Sequence, residues 1–126
     1  MVNIDYIMDL LDWNNSAEDQ ILGIQLAREV KCISAFLQPD APYGKRVWDN
    51  CAKILSERTD EELSYHLISL MEWLQDMNWP GAFCIFDRLQ KYEDNHLYNT
   101  DLSICIKKAK MLNDEVWENN LLQIKK

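Results

Sequence analysis

The side chains of this sequence that could carry out acid–base, nucleophilic or metal chemistry are 2 His, 4 Cys and 21 acidic residues. A zinc site needs Cys or His ligands in closely spaced pairs. The cysteines are scattered, and His66 and His96 lie far apart. Glu62 stands one helical turn before His66, a spacing more typical of a surface hydrogen bond than of a metal site. The sequence therefore predicts no metal site.

Motifs for nucleophilic catalysis and phosphate binding are also missing. The sequence has no G-x-S-x-G motif, and its 3 Gly are too scattered to form a phosphate-binding loop. We therefore predict no cofactor and assign no catalytic residue, which leaves open whether the protein is an enzyme. Each cysteine lies in or beside an apolar segment, which favours buried free thiols in a reducing cytoplasm (Cys32, Cys51, Cys84 and Cys105).

One polar and aromatic stretch, LQDMNWPGAFCIF, supports two interpretations. In the structural interpretation, which we favour, Pro80 lies in the first turn of a helix and Trp79 is forced out of helical geometry. A helix over residues 60–76 then ends there, a new one begins at Pro80, and the ring of Trp79 covers the joint. In the functional interpretation, Asp76, Asn78 and Trp79 contact a partner, because Trp is common at binding hot spots.

Two further candidates for partner binding come from another helix. Trp48 and Asp49 stand together in its predicted first turn, and the same reasoning applies to them. A rival interpretation combines Trp48, Trp79, His66 and Asp76 into a pocket for a small molecule or a substrate.

Net charge restricts the classes of partner. The formal net charge is −8, which disfavours nucleic acid and anionic membranes and suits a basic protein partner. Residues 1–27 carry acids but no Lys or Arg, whereas the C-terminal part carries Lys107, Lys108, Lys110, Lys125 and Lys126. We interpret both regions as solvated faces. The first residues do not form a signal peptide, and no apolar run is long enough to span a membrane.

Apolar residues recur with helical spacing along the whole chain, and no segment favours a strand. Expected caps are Asn15 or Ser16, a capping box from Thr59 to Glu62, and Asn113 or Asp114. The proline-containing QPDAPYG segment predicts a loop, and EDNHLYNTD predicts a polar connector. The sequence thus predicts an all-α protein.

A weak repeat of Trp-bearing helix starts adds detail to this fold. The spacing of Trp48, Trp79 and Trp117 suits HEAT-like helix pairs. We predict an α-α superhelix of three to four antiparallel pairs in one domain, residues 1–126, with an irregular bundle as the alternative. Trp13 and Trp73 are expected to fill gaps between helices.

Three segments together resemble a bacterial family, the domain-of-unknown-function family 5071: GKRVWDNCAKILSERTDEEL, LMEWLQDMNWPGAFCIFDRL and NDEVWENNLLQI. The resemblance rests mainly on the W-L-Q-D-x-N-W-P core and the closing N-D-E-x-W helix. It implies a small helical-repeat domain in bacteria and no known activity.

Our hypothesis for the function is a cytoplasmic protein-binding module, because the sequence is acidic, carries several Trp residues and lacks a catalytic motif. A specific form of this hypothesis is an immunity protein that masks a basic toxin.

Overall fold

A computed structural model describes residues 3–38 and 43–126. These residues form α-helices and short 3₁₀ segments without any strand, so the all-α prediction is confirmed. The α-helices are α1 (Ile4–Leu10), α2 (Ala17–Ala27), α3 (Trp48–Ser56), α4 (Asp60–Leu63), α5 (Leu67–Glu72), α6 (Ala82–Gln90), α7 (His96–Met111) and α8 (Glu115–Leu122). Across these ranges no helix has the length and apolarity needed to cross a membrane.

Polar caps fix several helix starts where the sequence predicts them. Ser16 accepts a hydrogen bond from the backbone N–H of Asp19, and Thr59 forms the predicted capping box with Glu62. Asp114, rather than Asn113, caps α8. Asn113 instead has a φ of 55° and ends α7 with a Schellman pattern of hydrogen bonds.

Other boundaries differ from the predictions. The helix expected over residues 60–76 is interrupted by 3₁₀ segments at Ser64–His66 and Trp73–Gln75. His66 leaves helical geometry, with φ −130° and ψ 15°. The prediction that EDNHLYNTD is a polar connector is wrong over most of this segment, because the side chain of Asn95 caps α7 and the helix begins at His96. Most of the predicted proline loop, residues 39–42, lies outside the described residues.

Helix packing builds one continuous apolar cluster that runs from Ile7 to Ile124. Within it α1 packs on α2, α3 on α6, and α7 on both α5 and α8. Trp73 and Trp117 are completely buried. The prediction for Trp13 is wrong, because it lies in the turn after α1 and its ring stays exposed.

The cysteines are all free thiols, and they differ in burial. Cys51 and Cys105 are buried, and burial raises the pKa of each thiol to about 12. Cys84 is half-buried and Cys32 is exposed, so the prediction of buried thiols holds for two of the four.

Candidate functional site

The Trp79–Pro80 joint is a tight turn held by its own backbone and side chains. The carboxylate of Asp76 accepts a hydrogen bond from the backbone N–H of Asn78 at 2.8 Å. The backbone N–H of Ala82 donates to the carbonyl of Trp79 at 3.1 Å. Gly81, at φ 82° and ψ −10°, has the geometry of the third position in a type II turn, where Pro commonly precedes it. Helix α6 therefore begins at Ala82 and not, as predicted, at Pro80.

Three tryptophans pack edge to face beneath and beside this turn. The ring of Trp48 lies 6.1 Å from that of Trp73 and 5.5 Å from that of Trp79. The indole N–H of Trp73 donates to the carbonyl of Pro80 at 2.9 Å. The polar anchor of the joint is therefore Trp73, whereas Trp79 contributes a half-buried ring that packs against the core.

Beside the turn lies a shallow depression of about 330 Å³. Residues from the start of α3, from the turn and from the start of α6 line it: Asp49, Met77, Asn78, Trp79, Pro80, Gly81, Phe83 and Cys84. Phe83 is 71% exposed, so its ring adds an accessible apolar face to the depression. We call this depression and its lining residues the Trp79 surface.

One acidic and one basic side chain lie near the Trp79 surface. Asp49 lies half-buried in the first turn of α3, and no Lys or Arg among the described residues pairs with its carboxylate. The ammonium group of Lys45 already lies 5.8 Å from the ring centre of Trp48 and 6.0 Å from that of Trp79. Such distances allow a cation–π attraction.

The candidate residues from the sequence separate into three groups. Asp49, Asn78 and Trp79 lie together on the Trp79 surface. Trp48 is only 5% exposed and supports the surface from below. Asp76 shapes the turn but does not line the depression, and neither does His66.

Sequence reasoning missed Met77, Phe83 and Cys84. A signal existed for Phe83, because it falls outside the apolar stripe of α6, whose buried members are Ala82, Ile85 and Leu89. An aromatic residue off the core face of a helix indicates a surface contact. Met77 and Cys84 carry no comparable signal, since both also pack against the core.

Trp79→Ala tests how much the packing of the Trp79 ring contributes to the stability of the fold. Replacing a fully buried Trp by Ala lowers the free energy of unfolding by about 3–5 kcal/mol. Because Trp79 is half-buried, Trp79→Ala should lower it by roughly half of that amount. Urea denaturation followed by circular dichroism measures the change. Tyr65→Ala is the control, because Tyr65 is 83% exposed and its loss should change stability by less than about 0.5 kcal/mol. Equal effects of the two changes would contradict the packing seen at the joint.

No curated protein and no solved structure matches the chain. A family model, by contrast, matches residues 44–126, which include α3 to α8 and the whole Trp79 surface. Because this match covers well over half of the sequence, the chain belongs to the family described as domain of unknown function DUF5071.

Proposed function

We propose that this protein is a non-catalytic protein-interaction module that binds its partner through the Trp79 surface. The observation that carries the proposal is the exposure of Phe83 beside the half-buried ring of Trp79. Large aromatic side chains at a concave, partly apolar surface are typical hot spots of protein interfaces. The buried Trp73 holds the turn that carries Trp79, and such preorganisation reduces the entropic cost of binding.

Charge supports a basic partner. The chain carries 21 acidic against 13 basic residues, and Asp49 contributes a carboxylate to the Trp79 surface. An Arg or Lys of the partner would meet Asp49 while its neighbours cover Phe83. Long-range attraction to the acidic chain would also accelerate association at low salt.

An immunity-type role is the specific form of this proposal. In it, the protein acts in the bacterial cytoplasm and masks a basic toxin domain such as a nuclease. Net charge and the aromatic surface support this form. It predicts that a neighbouring gene encodes a toxin-like protein, and a neighbourhood without one would argue against it.

The HEAT-like superhelix and the single domain also belong to the proposal. The continuous core supports one domain over residues 1–126. Contacts between the successive helices α1 and α2, and α7 and α8, support helix pairing. The contact of α3 with α6, however, joins helices that are not neighbours in the chain, a feature shared with irregular bundles.

The rival, a small-molecule or substrate pocket of Trp48, Trp79, His66 and Asp76, has less support. Of these four, only Trp79 lines the depression. A ligand pocket needs several polar groups that converge on an enclosed apolar space. We therefore assign no catalytic role to any of the four.

The test is capture of a partner by the tagged protein at low salt. Variants then distinguish loss of binding at the Trp79 surface from loss of folding. Phe83→Ser and Asp49→Asn should each weaken capture by roughly tenfold or more, as expected for hot-spot positions. Tyr65→Ser is the control for Phe83, since Tyr65 is also exposed. Asp19→Asn is the control for Asp49, because Asp19 occupies the first turn of α2.

The proposal requires a stoichiometric basic protein that dissociates at high salt and that both controls retain. Circular dichroism melting curves of all four variants should stay close to that of the parent protein. Capture that Phe83→Ser and Asp49→Asn leave unchanged would overturn the assignment of the Trp79 surface, and absence of any stoichiometric partner would overturn the binding-module proposal.

A further inference from the structure

A second concave feature lies near the C-terminus, between α7 and the residues at and after the end of α8. This groove has a volume of about 550 Å³, against about 330 Å³ for the depression at Trp79. Lysines form much of its wall, Lys107 and Lys110 from α7 and Lys125 and Lys126 from the last residues. We call it the lysine groove.

Most of this positive charge is not neutralised inside the protein. Lys107 and Lys125 have no carboxylate partner among the described residues. Lys110 has only a long pair, with its ammonium nitrogen 3.9 Å from a carboxylate oxygen of Glu118. In a chain of net charge −8, two unpaired lysines in one concavity give a local excess of positive charge.

Hydrogen bonds tie the last residues to the rest of the protein, and these residues form one wall of the groove. The hydroxyl of Tyr98 donates to the carbonyl of Ile124 at 2.6 Å, and Ile124 is buried. The ammonium group of Lys126 donates to the carbonyls of Leu89 and Gln90 at 3.0 and 2.6 Å. These two bonds make Lys126 a structural anchor, and burial lowers the pKa of its ammonium group. These contacts hold Lys125 at the groove.

The groove also has an apolar part and neutral donors. Leu102 and Ile106 of α7 and Leu122 of α8 line it, and Leu122 is exposed. Ser103 adds a hydroxyl that can donate to an anion. An inorganic anion would use the lysines and the hydroxyl but would leave the exposed side chain of Leu122 in water.

We propose that the lysine groove binds a small amphipathic anion, a phosphate or carboxylate attached to an apolar body. The anionic group binds between Lys107 and Lys125, and the apolar body covers Ile106 and Leu122. The volume of the groove lies in the range of small-molecule sites, about 300–1,000 Å³. This site is separate from the Trp79 surface, with which it shares no lining residue.

Isothermal titration calorimetry of the whole protein at low salt tests the proposal with three soluble probes: hexyl phosphate, inorganic phosphate and hexanol. Hexyl phosphate should bind at least about tenfold more tightly than inorganic phosphate, since several methylenes leave water. Hexanol should give no measurable binding. Equal affinities for the two phosphates would overturn the amphipathic ligand.

Variants locate the binding. Lys107→Gln and Lys125→Gln should each weaken hexyl phosphate binding by about tenfold, the lower range for a charge-assisted hydrogen bond. Lys108→Gln is the control for net charge, because Lys108 follows Lys107 on α7, pairs with Glu72 instead of lining the groove, and loses the same charge. Leu122→Ser should weaken hexyl phosphate but leave inorganic phosphate unchanged.

Two further outcomes overturn the proposal. One is an equal loss of affinity in Lys107→Gln and Lys108→Gln, which would mean that net charge alone drives binding. The other is binding to vesicles that contain phosphatidylglycerol without binding to soluble hexyl phosphate, which would indicate a membrane surface. Phe83→Ser should leave hexyl phosphate binding intact. The test of the lysine groove is therefore independent of the test of the Trp79 surface.

Discussion

Gly81→Ala should destabilise the protein by about 2–6 kcal/mol, from two costs of about 1–3 kcal/mol each. The first cost is backbone strain, because Gly81 has a φ of 82° that L-residues with a side chain rarely adopt. The second is overpacking. A Cβ at this position would lie 2.7 Å from the Cβ of Ala52 and 2.9 Å from the carbonyl oxygen of Trp48. Urea denaturation followed by circular dichroism measures the loss.

Two controls test these costs. Gly44→Ala should be neutral or stabilise by about 0.4–1 kcal/mol, because Gly44 has a φ of −76° and a Cβ there meets only the flexible end of Arg46. In an Ala52→Gly background, Gly81→Ala should cost less, since the nearest atom is removed. An equal cost in both backgrounds would mean that the contact with the Cβ of Ala52 contributes nothing, and a loss under about 1 kcal/mol would contradict both costs.

Element types were predictable because local chemistry determines them. The capping box at Thr59 and the cap at Ser16 follow from side chains that reach the next turn. The start of α7 was missed although Tyr98, Leu102 and Cys105 carry the helical spacing and are buried. The many polar residues around them suggested a connector, but they only form the exposed face of the helix.

The candidate site was predictable only in part. The joint at Pro80 has a local cause, the missing N–H and fixed φ of proline, so its position follows from sequence. The positive φ of Gly81 depends on how closely α3 approaches the turn, which is a tertiary property. The lysine groove is also tertiary, since it requires Lys125 to fold back beside α7 through the contacts of Ile124 and Lys126.

Helix α8 is joined to the rest of the protein by side chains that bind carbonyls near the end of α5. The indole N–H of Trp117 donates to the carbonyl of Met71 at 3.0 Å, and the amide of Asn120 donates to the carbonyl of Leu74 at 2.8 Å. Carbonyls near a helix end have fewer intrahelical partners, and these two side-chain bonds supply donors to them. Trp117 combines this bond with complete burial of its ring.

Trp117→Ala should therefore be among the most destabilising changes in the chain, costing at least about 3–5 kcal/mol for the cavity left by the ring. Loss of the indole also removes its hydrogen bond to the carbonyl of Met71, and a typical hydrogen bond contributes about 0.5–1.5 kcal/mol. Since the total approaches the stability of a small domain, Trp117→Phe provides a graded variant that keeps a ring but removes the N–H. Chemical denaturation followed at 222 nm should rank the losses as Ala above Phe, with Val116→Ala, an exposed neighbour on α8, close to zero. A Trp117→Phe protein as stable as the parent would show that the bond to Met71 contributes nothing, and equal losses for Phe and Ala would show that ring burial contributes little.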